Sequence, residues 1–177
     1  MPSNKENTIS NCPSEQYKIA KGFVQYDPEN GYFFVVHANG SIRRIFPDEE
    51  GYVMFHKKST RYKIRASRVA YELGNATEVP EGKVVLHRNL DTNDYRLRNL
   101  AVVPKEVHKK IKEAHMNLSG FLRIQPHQSD AFCYVVHYRE DSRNKFFVLQ
   151  DIVVAKQTFL RLQLKYAKLL NKYCVFD

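Results

Sequence analysis

Cysteine is scarce in this sequence: Cys12, Cys133 and Cys174 are odd in number and widely spaced. The absence of a CxxC pair argues against a structural zinc site and a disulfide scaffold. The scarcity predicts an intracellular, cytoplasmic chain. Long hydrophobic runs are missing as well. None approaches the ~20 residues of a membrane span, so no membrane partner is expected. The opening stretch MPSNKENTISNCPSEQ has no apolar h-region and does not read as a secretory signal. There is no glycine-rich phosphate loop, no internal repeat and no low-complexity tract. No Ser/His/Asp or Cys/His grouping can be assembled from the spacings.

What the chain does have is positive charge and aromatic residues. Its 177 residues suit one compact domain or two very small ones. Hydrophobic residues make up 43%, with eleven Phe and eleven Tyr, enough to build a core. The formal net charge is +9. It is not a basic tail: residues 36–65 and 118–177 each carry net +4, with the nearly balanced segment 66–117 between them. Two surfaces that meet phosphate are expected; charge alone also admits an acidic protein or a membrane surface, but double-stranded DNA is the leading partner. The plainer reading is a solvated basic face that only maintains solubility.

Pattern and punctuation divide the chain into four. Residues 1–16 are polar and read as a flexible leader. Residues 17–65 read as a β module, with strands around Phe23–Tyr26, Tyr32–Val36, Ser41–Ile45, Tyr52–His56 and Tyr62–Ile64. Asn39-Gly40 is a hairpin turn, and Lys57–Arg61 is a polar tip. From Ala66 the spacing of Val69, Ala70 and Leu73 is helical. Val84–Leu86 is a short apolar run ending at His87, followed by a polar loop and then a short helix that contains Asn99. Pro104 opens a helix to about Asn117. Residues 118–177 read as three strands, Phe121–Pro126, Phe132–Tyr138 and Lys145–Leu149, then a long helix capped by Asp151. Phe132, Tyr134, Val136 and Tyr138 should share one sheet face, and Arg123, Gln125, Arg139 and His137 the other. The helix stripe Ile152, Ala155, Phe159, Leu162, Tyr166, Leu169 and Tyr173 is a core or partner-facing seam.

The segment Val84-Val85-Leu86-His87-Arg88-Asn89-Leu90-Asp91-Thr92-Asn93-Asp94-Tyr95-Arg96-Leu97-Arg98-Asn99-Leu100 is the most informative. A His at a strand end, a polar loop and an Asn beyond it form a layout that can hold a divalent metal beside a water-activating base. It resembles the core of phage- and intron-type HNH homing endonucleases, with the same spacing from His87 to Asn99-Leu100. The flanks agree: Ala66–Leu73 resembles the preceding helix, Val79–Val85 the approach to the His, and Phe34–Arg44 with Gly51–Val53 a module that often precedes such cores. Residues 120–173 loosely resemble the three-stranded DNA-binding domain of plant ethylene-response factors. The resemblance covers about residues 31–116 well and the remainder weakly.

The resemblance implies an α+β protein of small antiparallel sheets. A central ββα HNH-like core over 66–117 would lie between the 17–65 module and the 118–177 sheet-plus-helix module. It implies His87 as general base and Asn99 as a Mg²⁺ ligand, with Asp91 or Asp94 as substitute oxygen donors. Three departures stand out: Leu86 where a metal-binding Asn or Asp is usual, Ser67 where a His is usual, and Asp94-Tyr95 where Asn-Asn is usual. Leu cannot ligate a hard cation, so weakened or lost cleavage is expected. Taken alone, His87 better fits a buried His bonded to a loop carbonyl; with the flanking motifs the two readings are equal, and Asn99 equally fits a loop brace. The expected nucleic-acid contacts are Arg43, Arg44, Lys57, Lys58, Arg61, Lys63, Arg65, Arg68, Arg88, Arg96, Arg98, Arg123, Arg139, Arg143 and Lys145. The other six His residues, including His108 and His115, show no ligand spacing and read as ordinary. Three functions follow: DNA binding with weakened cleavage, active Mg-dependent nicking, or reuse of the fold by a phage to bind a host or viral protein through residues 151–173.

Overall fold

A computed structural model describes residues 18–19, 22–57, 60–130 and 132–175, with side chains described at 23–53, 63–130 and 132–175. The leader expected at 1–16, with Cys12, lies outside the described residues, as do the side chains of Lys57, Lys58 and Arg61. Among the described residues the protein is mixed α+β, with small antiparallel sheets and three α-helices. Its backbone divides into two compact units, Met1–Val103 and Pro104–Asp177.

The first unit opens with a four-stranded sheet in the order β1 (Lys18–Ile19), β2 (Gly22–Asp27), β3 (Tyr32–His37), β4 (Ile42–Ile45). Alternation in β3 buries Phe33 and Val35 and leaves Tyr32 outward. The expected Asn39-Gly40 turn is present: Asn39 Oδ1 accepts from Ser41 N at 3.1 Å, and Gly40 takes φ 79. Strands β5 (Tyr52–Lys57) and β6 (Thr60–Arg65) pair antiparallel as far as Lys57 opposite Thr60, so the hairpin reaches further than the polar tip suggested.

Helix α1 (Ala66–Asn75) then packs against β2, β5 and β6. Strands β7 (Lys83–His87) and β8 (Leu100–Pro104) form a two-stranded sheet. One cluster of buried residues joins Val24, Phe33, Val53, Ala66, Val69, Ala70, Tyr95 and Leu100. Residues from both sides of position 66 therefore share a single core. Burying a side chain of Val or Phe size contributes roughly 1.5–3 kcal/mol, so the strands and α1 are mutually dependent.

The short helix expected to contain Asn99 is a single turn. Asn99 ends this 3₁₀ turn, Leu97–Asn99, and the chain extends at Leu100 to pair as β8. The β-branched Val102 and Val103 favour that ladder over another helical turn.

In the second unit, α2 (Lys105–Met116) runs into a π-type turn at Asn117–Phe121 that Gly120 permits with φ 114. An antiparallel sheet follows in the order β11 (Arg143–Leu149), β10 (Tyr134–Glu140), β9 (Arg123–Pro126), and then α3 (Ile152–Tyr173). Helix α3 packs on β9 and β10, burying Ala155, Tyr166 and Leu170. Asp151 caps it, accepting from Val153 N. Leu170 is more buried than its predicted neighbour Leu169, a one-position rotation of the stripe.

Phe132 does not join the strand face expected for it. The chain turns at Asp130, whose carboxylate accepts from Phe132 N, and the Phe132 ring stands exposed before β10 begins. The β10–β11 turn places Asp141 and Ser142 at φ 54 and 63, the conformation that suits a tight hairpin, and Glu113 accepts from both backbone amides. Asn117 clasps β10 from beneath, donating to and accepting from the Arg139 backbone at 2.8 Å each.

Candidate functional site

The loop between His87 and Asn99 is built by polar side chains bonding their own backbone. Asn89 Oδ1 accepts from Asp91 N at 3.0 Å, and Asp91 Oδ1 accepts from Asn93 N at 2.9 Å. Asp94 Oδ1 accepts from Arg96 N at 3.2 Å. Asn89, Asp91 and Asp94 thus fold the loop as successive Asx turns. Leu90 N donates to His87 O at 3.1 Å, and Leu90 takes φ 64, the left-handed region seldom used by a branched side chain.

Asn99 closes the loop from the far end and is 7% exposed. Its Oδ1 accepts from Asn89 N and its Nδ2 donates to Asp94 O, both at 2.9 Å. Arg88 N also donates to Asn99 O at 2.8 Å. Both ends of the Asn99 amide are therefore engaged in bracing.

Asp94 sits at the centre of the loop. It accepts from Arg96 Nε at 2.8 Å, from Arg96 Nη2, and from Asn89 Nδ2 at 2.9 Å. The Arg96 guanidinium holds its carboxyl down at about 2. Its charge is answered inside the loop. Asn89, not among the expected site residues, links Asn99 and Asp94. Its signal was the alternation Asn89, Asp91, Asn93.

His87 ends β7 and is half-buried, with Nε2 buried. Its ring meets Tyr95 edge-on with centroids 5.7 Å apart. Next to it, Leu86 is 3% exposed and belongs to the packed interior. The loop is anchored to the first sheet by Tyr26, whose hydroxyl donates to Tyr95 O at 2.5 Å, and by Leu97 N, which donates to Pro28 O at 3.0 Å. Burial, with Asp27 and Asp94 nearby, pushes the Tyr26 hydroxyl far above its usual range.

A divalent cation needs several oxygen or nitrogen donors converging on one point. Among the described residues no group of three His, Cys, Asp or Glu is placed to hold one. The side-chain oxygens of Asn99 and Asp94 accept from Asn89 and Arg96, Asp91 is exposed on the loop, and Leu86 supplies none. Within this unit the donor set does not fit a metal.

The expected nucleic-acid cations divide by what they already touch. Lys63 pairs with Asp48 at 2.8 Å, Arg68 with the buried Glu72 at 2.8 Å, Arg96 with Asp94, and Lys145 with Glu140 at 3.0 Å. Arg65 lies over the Tyr52 ring and donates to Glu50 O. Arg44 lies between the rings of Tyr32 and Phe46. Arg43, Arg88, Arg98, Arg123 and Arg143 stand exposed.

In the second unit the ladder sets the outer face of the sheet. Arg123 lies opposite His137, Gln125 opposite Val135, Asn144 opposite Arg139, Phe146 opposite His137 and Val148 opposite Val135. Directly paired residues share a face, so Arg123, Gln125, His137 and Arg139 are together, with Asn144 and Phe146 added by β11. Gln125 Nε2 lies 2.8 Å from His137 Nε2. Burial, with Arg123 adding to it, lowers the His137 imidazole below its usual range. Phe146 is 63% exposed.

The sequence model of a family described as HNH endonuclease matches residues 65–110, which is 46 of the 177 residues. The match supports an HNH-type endonuclease relationship and points to a nucleic-acid-related nuclease function with DNA as partner. Such nucleases are typically metal-dependent. No curated protein and no solved structure matches the chain significantly. Among the described residues no helix is long and apolar enough to cross a membrane.

Proposed function

We propose that this chain binds double-stranded DNA on an HNH-type scaffold whose cleavage is weakened or lost. The observation that carries the reading is the state of the His87–Asn99 loop. Asn99 and Asp94 brace the loop, Leu86 packs into the interior, and His87 Nε2 is buried. A general base has to reach its water and a metal has to find donors. Binding remains available through the exposed arginines and the outer face of the 118–177 sheet. Cations there would contact phosphate, and Gln125, Asn144 and Arg123 would meet base edges in a groove. The similarity to phage and homing enzymes, a ββα core over 66–117 and a three-stranded DNA-binding module are part of this proposal.

Titrating salt against the affinity for a labelled duplex tests it. Affinity should fall linearly on logarithmic axes, because each phosphate contact releases counterions. Affinity unaffected by salt would overturn it. Mg²⁺-dependent nicking is the competing outcome. If Leu86 is the one missing ligand, Leu86→Asn should raise nicking.

A second reading rests on α3. Val153, Leu160 and Leu164 are all exposed, at spacings of seven and four residues along one helix face. Such a stripe suits a protein partner of host or viral origin. Under that reading Leu160→Lys with Leu164→Lys would abolish partner binding and leave duplex affinity intact.

A further inference from the structure

A cleft in the first unit borders the polar loop at Tyr95 and Asp94: both residues line it, and His87 does not. Its volume is about 260 Å³. Strands β3 and β4 form one wall, and residues Asn93–Tyr95 of the polar loop form the other. The rings of Phe33 and Tyr95, both buried, form its floor with centroids 5.6 Å apart.

The mouth is made of a stacked pile. The Arg44 guanidinium carbon lies 3.4 Å from the Tyr32 ring centroid and 4.7 Å from that of Phe46. Phe46 is nonetheless 71% exposed. A large aromatic ring held by an arginine at the lip of a cleft, with its outer side in solvent, is a platform for another flat group.

The charge inside the cleft selects the occupant. Asp48 and Asp94 both line it. The hydrogen bond from Lys63 lowers the Asp48 carboxyl, and Arg96 lowers that of Asp94, so both are ionised at neutral pH. With both carboxylates in the lining and Lys63 and Arg96 paired to them, the cleft offers a phosphate little attraction. The carboxylate oxygens are already engaged by Lys63, by Arg96 and by backbone amides. A neutral flat ring needs no such attraction, and Asn30 and Asn93 also line the cleft, the Asn30 amide donating to Asp27.

We propose that this cleft seats a single unstacked nucleobase of a bound DNA strand, stacked on Phe46 and continuing the Tyr32–Arg44–Phe46 pile. The proposal rests on the DNA-binding reading and adds a preference to it: DNA with one unpaired base is bound more tightly than fully paired DNA. Base–aromatic stacking of this kind is sequence-tolerant, because every base has a π-face.

The test uses the full chain and two duplexes of identical length, one fully paired and one with a single bulged 2-aminopurine. Bulged DNA should bind about tenfold more tightly, the order expected of one base–aromatic stack. The 2-aminopurine fluorescence should fall on binding. Phe46→Ala should bring the affinity ratio close to one and restore the fluorescence. Arg44→Lys, which keeps the charge but loses the planar stack, should reduce the ratio part of the way.

Equal affinity for the two duplexes, or a preference that survives Phe46→Ala, would overturn the cleft assignment. If the paired duplex is bound in a salt-sensitive way while the ratio is one, only this inference fails. If the bulged strand alone is bound and requires Phe46, the cleft stands and duplex binding fails. If neither is bound, both fail.

Discussion

The loop 88–99 and the outer face of the β9–β10–β11 sheet are both rich in polar and charged residues, yet they use them in opposite ways. In the loop, Asn89, Asp94, Arg96 and Asn99 bond one another and their own backbone. On the sheet, the backbone is already paired strand to strand, so Arg123, Asn144 and Phe146 project outward. A loop must satisfy its amides with side chains, whereas a sheet satisfies them with another strand. The same residue types therefore become structure in one place and surface in the other. Polar density along a sequence is thus a poor guide to where a ligand is met.

Breaking the loop should disturb the protein most. Gly31 takes φ 72, and an added Cβ would lie 2.7 Å from Arg96 N and 2.8 Å from Tyr95 C. Backbone atoms cannot yield as a side-chain tip can. Gly31→Ala is expected to cost ~3 kcal/mol or more, read as a lower denaturant midpoint.

Asn99→Ala removes both bracing bonds from a buried site and should cost ~2–3 kcal/mol. Asn144→Ala, the same change on the exposed sheet face, should stay within ~0.5 kcal/mol. Equal effects from the two would dissolve the contrast.

Acid sharpens it further. The Asp94 carboxyl is held at about 2, below the ~3.9 of an unfolded chain. Its contribution to stability, ~2 kcal/mol, is fully present above about pH 4 and is lost as pH falls toward 2. Asp94→Asn should flatten that part of the stability profile, as followed by urea unfolding between pH 2 and 5.

The smallest effects on stability fall on the sheet, where DNA should report instead. Arg123→Ala is expected to leave the unfolding midpoint almost unchanged and to lower the salt slope of duplex binding by about 1. Arg96→Ala should do the reverse, because its guanidinium is paired with Asp94. A salt slope that responds to Arg96 and not to Arg123 would reverse the assignment of loop and face.

Much of this fold was legible in the sequence, and the particular failures have physical causes. The strands around Asn39-Gly40, the α1 spacing, the Asp151 cap and the long last helix each follow a local rule, and local rules survive folding. The short helix expected to contain Asn99 is present as the 3₁₀ turn Leu97–Asn99, although the spacing of Leu97, Leu100 and Val103 would carry it further. Pairing with β7 decided otherwise, and such pairing is long-range information. Phe132 looked like a strand residue by alternation, but the Asp130 turn ends the pattern two residues before β10 begins.

At the site, His87 at a strand end and the loop beyond it could be read from the sequence, as could Leu86 as a departure. That the side-chain oxygens of Asn99 and Asp94 would be taken up by Asn89 and Arg96 could not. Both a ligand and a brace require an Asn there, and only the register of the loop distinguishes them. The Arg44 stack was equally hidden, since Tyr32 and Phe46 flank it from a neighbouring strand and a loop.

The most direct test is to incubate supercoiled plasmid with the protein and Mg²⁺ or Mn²⁺, with EDTA and His87→Ala controls, and to measure duplex binding on the same samples. The account predicts salt-sensitive binding with the plasmid left essentially supercoiled in every lane. Relaxed or linear plasmid that requires both metal and His87 would contradict it and make the braced loop a working nuclease site.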